Sequence, residues 1–250
     1  MASGLKEIKV FPTTEELGRA AVEIFCEAVE KARKRNSTAC VALSGGSSPK
    51  VFYRSFRKDE FDFSKINFFF SDERNVPPDD EQSNYRLALN ELFIPHSINT
   101  ENVFRWAVEK GAPEEVADDY EEVLTRKLFL SQTETESQLR AVPRFDCLFL
   151  GVGTDGHIAS LFPSTQGLKE NNRFAIANWV PQLDSFRYTM TFPVINNSAV
   201  IMVLAHGRTK ADILERILVK EDKSLPAANL NPNEGCRLIW LIDEQAAAKI

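Results

Sequence analysis

The chain has 250 residues, 43% of them apolar and 26% charged, with a formal net charge of −6. That length and balance predict a globular protein with ample core and one domain spanning residues 1–250. The negative charge argues against broad nucleic-acid or anionic-membrane binding, so an anionic ligand would need a local cluster of positive groups.

The opening Met1-Ala-Ser-Gly-Leu-Lys-Glu7 lacks the apolar stretch of a signal peptide. Ile8, Val10 and Phe11 predict a short first strand. Thr13-Thr-Glu-Glu16 can form a capping box, hydroxyl and carboxylate each satisfying a free backbone N–H. A helix follows, with Leu17, Ala21, Ile24, Phe25, Ala28 and Val29 at helical spacing. Ala39–Leu43 is a continuous apolar run, as a central parallel strand requires. Ser44-Gly-Gly-Ser-Ser-Pro49 comes next, with Pro49 suited to the start of a helix. A strand, a glycine turn and a helix start in succession form an anion site through free N–H groups and the helix dipole. It is not a Walker loop, because no Gly-Lys-Ser/Thr follows.

Ile66–Phe70 predicts a third strand, and Ser71-Asp-Glu-Arg-Asn-Val-Pro-Pro78 a charged loop leaving its carboxyl end, which makes Asp72, Glu73 and Arg74 candidate site residues. Ser83 to Tyr85 opens a helix that stops before Pro95; His96 lies in a polar loop without a role. Val103 and Phe104 suggest a strand, and Pro113 begins a helix with Val116, Tyr120, Leu124 and Leu128 on one face. Gln132 to Arg140 reads as an exposed loop. Phe145–Leu150 is a buried strand ending in a glycine-rich turn at Gly151, Gly153 and Gly156, which delivers His157. Gly167 to Asn172 is a loop, and Phe174–Val180 a strand. Arg187–Phe192 alternates as a strand with one buried face. Ala199–Ala205 is the clearest central strand, leading through His206-Gly-Arg-Thr-Lys210 into a helix. Leu238–Ile242 is the last strand, with Asp243 capping a final short helix.

Strands therefore alternate with helices, which predicts a doubly wound α/β fold: a mostly parallel sheet with helices on both faces. The loops at 44–49, 71–78, 151–158 and 206–210 all follow strands, so a parallel sheet gathers them at one edge. They bring together an anion cradle, an acid–arginine pair, a histidine and a lysine, a set suited to a small phosphorylated substrate. Gly151-Val-Gly-Thr-Asp-Gly156 matches a dinucleotide fingerprint by letter, but it lies mid-chain and opens no clear helix. No Gly-x-Ser-x-Gly elbow and no zinc-type histidine pair is present. Cys26, Cys40, Cys147 and Cys236 are far apart, without a CxxC pair, and predict reduced, mostly buried thiols. No apolar run is long enough to span a membrane, and a cytoplasmic protein is expected.

Three stretches, Leu43-Ser-Gly-Gly-Ser-Ser-Pro-Lys50, Ser71-Asp-Glu-Arg-Asn-Val-Pro77 and Gly151-Val-Gly-Thr-Asp-Gly-His-Ile-Ala-Ser-Leu-Phe-Pro163, resemble the signatures of the 6-phosphogluconolactonase family. Arg187-Tyr-Thr-Met-Thr191, Gly207-Arg-Thr-Lys210 and Leu225-Pro-Ala-Ala228 fit its second half, so the resemblance covers nearly the whole chain. It implies hydrolysis of 6-phospho-D-glucono-1,5-lactone to 6-phospho-D-gluconate, the second step of the oxidative pentose phosphate pathway. By that resemblance Gly45, Gly46 and Ser47, with Arg187 and Lys210, hold the phosphate. His157 is the general base toward water, and Asp155 orients it or polarises the water. Arg74 stabilises the oxyanion or another part of the substrate, and Asp72 binds hydroxyls or holds Arg74. The reactive ester calls for no metal, cofactor or covalent nucleophile, and no obligate protein partner is evident.

Glucosamine-6-phosphate deaminases share the superfold and are the rival. They continue Gly-His-Ile-Ala with Phe-Asn-Glu, whereas Ser160, Leu161 and Phe162 stand here. They also carry Met-Asp-Glu-Tyr in place of Ser71-Asp-Glu-Arg74. Two local departures from the lactonase pattern are Ile158, where threonine is common, and Pro181–Phe186, which lacks Lys-Pro-Pro. A non-catalytic sugar-phosphate sensor is a third reading, but such regulators carry a helix-turn-helix ahead of the first strand, for which the opening residues leave no room.

Overall fold

β1 (Leu5–Phe11) leads into α1 (Thr14–Arg35). The computed structural model describes residues 4–129 and 142–250, so the loop predicted from Gln132 to Arg140 lies outside the described residues. The Thr13 hydroxyl caps α1, accepting from the Glu16 N–H at 3.1 Å. Only this half of the expected box is among the bonds of the described residues. Next come β2 (Ala39–Leu43), α2 (Ser47–Arg54), β3 (Ile66–Phe70) and β4 (Asp72–Arg74). α3 (Asn84–Ala88) continues into a wider turn over Leu89–Phe93, followed by β5 (Val103–Phe104) and α4 (Pro113–Phe129). β6 (Cys147–Gly151), β7 (Ala175–Val180), β8 (Ser185–Met190) and α5 (Phe192–Asn197) follow. β9 (Val200–Ala205), α6 (Ala211–Leu214) and β10 (Arg237–Asp243) complete the order.

Among the described residues the strands make two sheets. Seven parallel strands run in the order β1-β10-β9-β6-β2-β3-β5, and three antiparallel strands in the order β4-β8-β7. Helices flank the large sheet, as the alternation of elements predicts; α1 and α2 pack on each other and on its central strands. The all-apolar runs of β2, β6 and β9 are buried because helices leave them no solvent face. Phe25 of α1, Phe52 of α2 and Phe149 of β6 seal this layer, with Phe52 and Phe149 stacked at 4.1 Å. His96 packs against the rings of Phe56 and Phe63.

The chain passes from β2 outward through β3 to β5, then returns to β6 on the other side and goes outward through β9 to β10. The order thus reverses between β2 and β6, and the crevice at the carboxyl ends of such a pair is where α/β sheets bind ligands.

Four local expectations need correction. Ser71–Pro78 is not all loop: Asp72–Arg74 is a strand, because it finds a partner in β8. Arg187–Phe192 ends as a strand at Met190, and Phe192 begins α5. Its alternation also fails, since Tyr188, Thr189 and Met190 are all buried beneath neighbouring layers. The final short helix is a set of turns, although Asp243 does accept from the Ala246 N–H at 2.8 Å. The loop at Gly167–Asn172 is shorter than expected, because Gln166–Lys169 winds into a 3₁₀ turn. All four cysteines are free, with Cys40, Cys147 and Cys236 buried. No helix among the described residues is long and apolar enough to cross a membrane.

Candidate active site

A cavity of about 390 Å³ opens at the β2–β6 switch point. Its first wall is the turn after β2. Gly46 has φ +96, a conformation that favours glycine, and it starts α2 at the cavity wall with no side chain capping the first N–H groups. The Gly45–Ser47 turn lines this wall, and Pro49 stands at the third residue of α2. The β6 turn lies close against it: a β-carbon on Gly151 would stand 3.8 Å from the Gly45 carbonyl oxygen.

The second wall is the turn after β6. The Gly153 N–H bonds the His157 carbonyl at 2.9 Å, and Gly156 takes φ +82, so the chain doubles back at once. This turn brings Asp155 and His157 together. The His157 Nδ1 lies 2.6 Å from Asp155 Oδ1, which also accepts the His157 N–H at 3.2 Å. Phe162 stacks on the imidazole at 4.1 Å and 24°. A β-carbon on Gly153 would stand 2.1 Å from His157 Nδ1, so the dyad fills the space any side chain would need. Asp155 pins one ring nitrogen and leaves Nε2 free in a cavity-lining residue. Burial pushes the Asp155 carboxyl up, but the hydrogen bond and charge of His157 outweigh it and hold it below its ordinary value.

The third wall comes from the small sheet. Arg74 of β4 and Arg187 of β8 are direct cross-strand partners, and both line the cavity. Like charges in that register are unfavourable by themselves. Burial, with the Arg74 charge beside it, lowers the pKa of Arg187. Asp72 does not hold Arg74. Its carboxylate accepts from the hydroxyls of Ser160 at 2.8 Å and Ser71 at 3.1 Å, whereas the Arg74 guanidinium donates to the Gln82 carbonyl.

Lys210 closes the ring from the turn after β9. Its ammonium donates to the Val152 carbonyl at 2.7 Å, and burial pulls its pKa down against the opposing pull of Asp155. That turn is anchored from the last strand: Asp243 accepts the Gly207 N–H at 3.0 Å. Among the described residues, Arg74, Arg187 and Lys210 make no ion pair with a carboxylate. Three half-buried cations without counter-ions, around free N–H groups, suit a dianionic ligand. No group of three or more metal-ligating side chains is placed to hold an ion among the described residues.

Gly45, Gly46, Ser47, Asp72, Arg74, His157, Arg187 and Lys210 thus share one cavity, and Asp155 holds His157 from its side. Sequence reasoning gave Ser160 no role, although it lines the cavity and fixes Asp72. It also read Asn84 only as a helix start. Asn84 is wholly buried, with its Oδ1 at 1.7 Å from where a β-carbon on Gly45 would be. A polar residue beside a helix start gives no hint of a partner 39 positions away.

The family model for glucosamine-6-phosphate isomerases/6-phosphogluconolactonase matches residues 12–240. A probable 6-phosphogluconolactonase of Schizosaccharomyces pombe is 36% identical over 237 residues, covering 90% of this chain and 88% of that one. Probable 6-phosphogluconolactonase 1 of Arabidopsis thaliana is 35% identical over 263 residues, covering 98% and 93%. The solved 6-phosphogluconolactonase of Trypanosoma cruzi matches with a TM-score of 0.81 at 27% identity, covering 100% of this chain and 98% of that one. With most of its length matched in sequence and in fold, the chain belongs to the glucosamine-6-phosphate isomerase/6-phosphogluconolactonase family.

Proposed function

We propose that the protein hydrolyses 6-phospho-D-glucono-1,5-lactone to 6-phospho-D-gluconate in the oxidative pentose phosphate pathway, acting as one catalytic unit in the cytoplasm. The observation that carries this reading is the Asp155–His157 pair, 2.6 Å apart, in a cavity shared with the Gly45–Ser47 turn and three cations that have no counter-ion among the described residues.

The Gly45–Ser47 amides, Arg187 and Lys210 grip the 6-phosphate. Arg74 joins them, because its pairing with Arg187 sets two guanidiniums side by side. The grip holds the lactone carbonyl in place, so binding energy far from C1 serves the reaction there. Asp72, fixed by Ser71 and Ser160, accepts from sugar hydroxyls. With Nδ1–H donated to Asp155, the Nε2 lone pair of His157 takes a proton from water as its oxygen attacks C1. The tetrahedral intermediate collapses by breaking the bond from C1 to the ring oxygen. His157 returns the proton to that oxygen, and the acid is released.

Purified protein should speed acid release from freshly generated lactone above the spontaneous rate. His157→Ala should lower kcat by about 10²–10⁴-fold while still binding 6-phosphogluconate in calorimetry. A variant as active as the parent removes His157 from the mechanism. Ammonia from glucosamine 6-phosphate would favour the deaminase, and product binding without turnover a sensor.

A further inference from the structure

Glu73 sits between two cavity residues, Asp72 and Arg74, and is itself only 2% exposed. Four donors converge on its carboxylate. Oε1 accepts the Arg74 N–H at 2.8 Å and the Asn84 N–H at 2.7 Å. Oε2 accepts the Tyr85 N–H at 2.9 Å and the Ser83 hydroxyl at 3.1 Å. One donor belongs to β4, and the others to the first turn and cap of α3. A single carboxylate therefore ties a strand of the small sheet to a helix of the large layer.

Each tied end carries part of the phosphate wall. On β4 it is Arg74, set opposite Arg187. On α3 it is Asn84, whose Nδ2 donates to the Asp72 carbonyl at 2.9 Å. Among the described residues the Asn84 Oδ1 has no hydrogen-bond partner, and it fills the place of a side chain on Gly45. Asn84 thus backs the Gly45–Gly46 turn from inside the protein.

We propose that Glu73 is a positioning residue for phosphate recognition, holding Arg74 and the Gly45–Gly46 turn at the spacing a phosphoryl group requires. The inference rests on the lactonase reading for its substrate. Stability alone does not account for the residue. Burial raises the Glu73 carboxyl above its ordinary value despite the opposing hydrogen bonds, and the Asp72 charge adds to the rise. Its charge acts on Arg105 and Arg187. A glutamine has the same shape and no charge to bury, but its amide nitrogen would face donors instead of accepting from them.

Glu73→Gln and Ser83→Ala test the clamp on two substrates, the phosphorylated lactone and unphosphorylated glucono-1,5-lactone. Glu73→Gln should raise KM for the phosphorylated lactone about tenfold, the worth of about 1.4 kcal/mol of grip, with little change in kcat. Turnover of the unphosphorylated lactone should stay at the parent level. Ser83→Ala should shift KM in the same direction by less, and it keeps the test open if Glu73→Gln fails to fold. Equal losses on both lactones, or no change on either, would overturn the proposal. Calorimetry with 6-phosphogluconate separates the two readings. A parent that binds it without turnover counts against the lactonase, whereas unweakened binding by Glu73→Gln counts against the clamp.

Discussion

At residue 153 the chain has no freedom of choice. The imidazole of His157 and the carboxylate of Asp155 lie 2.1 and 2.4 Å from where a β-carbon would be. Gly153→Ala must therefore push the dyad aside, and displacing a reacting group by about 1 Å can cost about 100-fold in rate. We expect kcat to fall by about that factor, with affinity for 6-phosphogluconate in calorimetry near the parent value, since the proposed phosphate contacts lie on other segments. An unchanged kcat would mean that the dyad moves without penalty. This constraint was invisible in the sequence, where Gly153 read only as a flexible turn residue. His157 itself was legible, because a histidine just past an apolar run and a glycine turn can sit only at the strand's carboxyl end.

Contiguous apolar runs marked β2, β6, β9 and β10, and Phe68–Phe70 marked β3, since strands buried on both faces need no alternation. β4 was hidden. Asp72-Glu73-Arg74 has the composition of a solvated loop, and it is a strand only because β8, more than 110 residues later, pairs with it. Nothing local encodes such a pairing. Contacts between elements also carry the pH response. Glu60 receives a two-pronged bond from Arg19 of α1 at 2.5 and 2.8 Å, and the Arg57 N–H at 2.8 Å. The Arg19 bond, helped by that N–H, holds the Glu60 carboxyl down at about 2. A depressed carboxyl pKa contributes stability above its ordinary value, near 4.3, that is lost as the pH falls through the folded value. The pair is partly exposed, so its worth is under about 1 kcal/mol. Glu60→Gln should thus melt slightly below the parent at pH 7, with the gap closing as the pH is lowered toward 2. A gap independent of pH would assign the effect to packing.

Across the whole molecule, the aromatic layer between helices and sheet also supports the cavity. Phe149 of β6 stacks on Phe52 of α2, and α2 starts from the Gly46 turn. Truncating a buried phenylalanine costs about 3–5 kcal/mol. Phe149→Ala should lose about that much in urea unfolding and should also raise KM, because the seat of α2 loosens. Lost stability with an intact KM would uncouple core from site. The doubly wound architecture was legible from the alternation of strands and helices, and so was the gathering of four loops. The small antiparallel sheet was not, because β7 and β8 are neighbours in the chain but their partner β4 lies about 100 residues before them.

The cavity is assembled from segments between Ser44 and Lys210, and the Lys210 turn is moored to Asp243, on the last strand. A nascent polypeptide that has cleared the ribosome only as far as its central histidine holds the dyad but neither the arginine at 187 nor the lysine at 210. The whole cavity therefore forms only once the chain has been made past Asp243, and on the proposed reading turnover reports on the folding of both sheets.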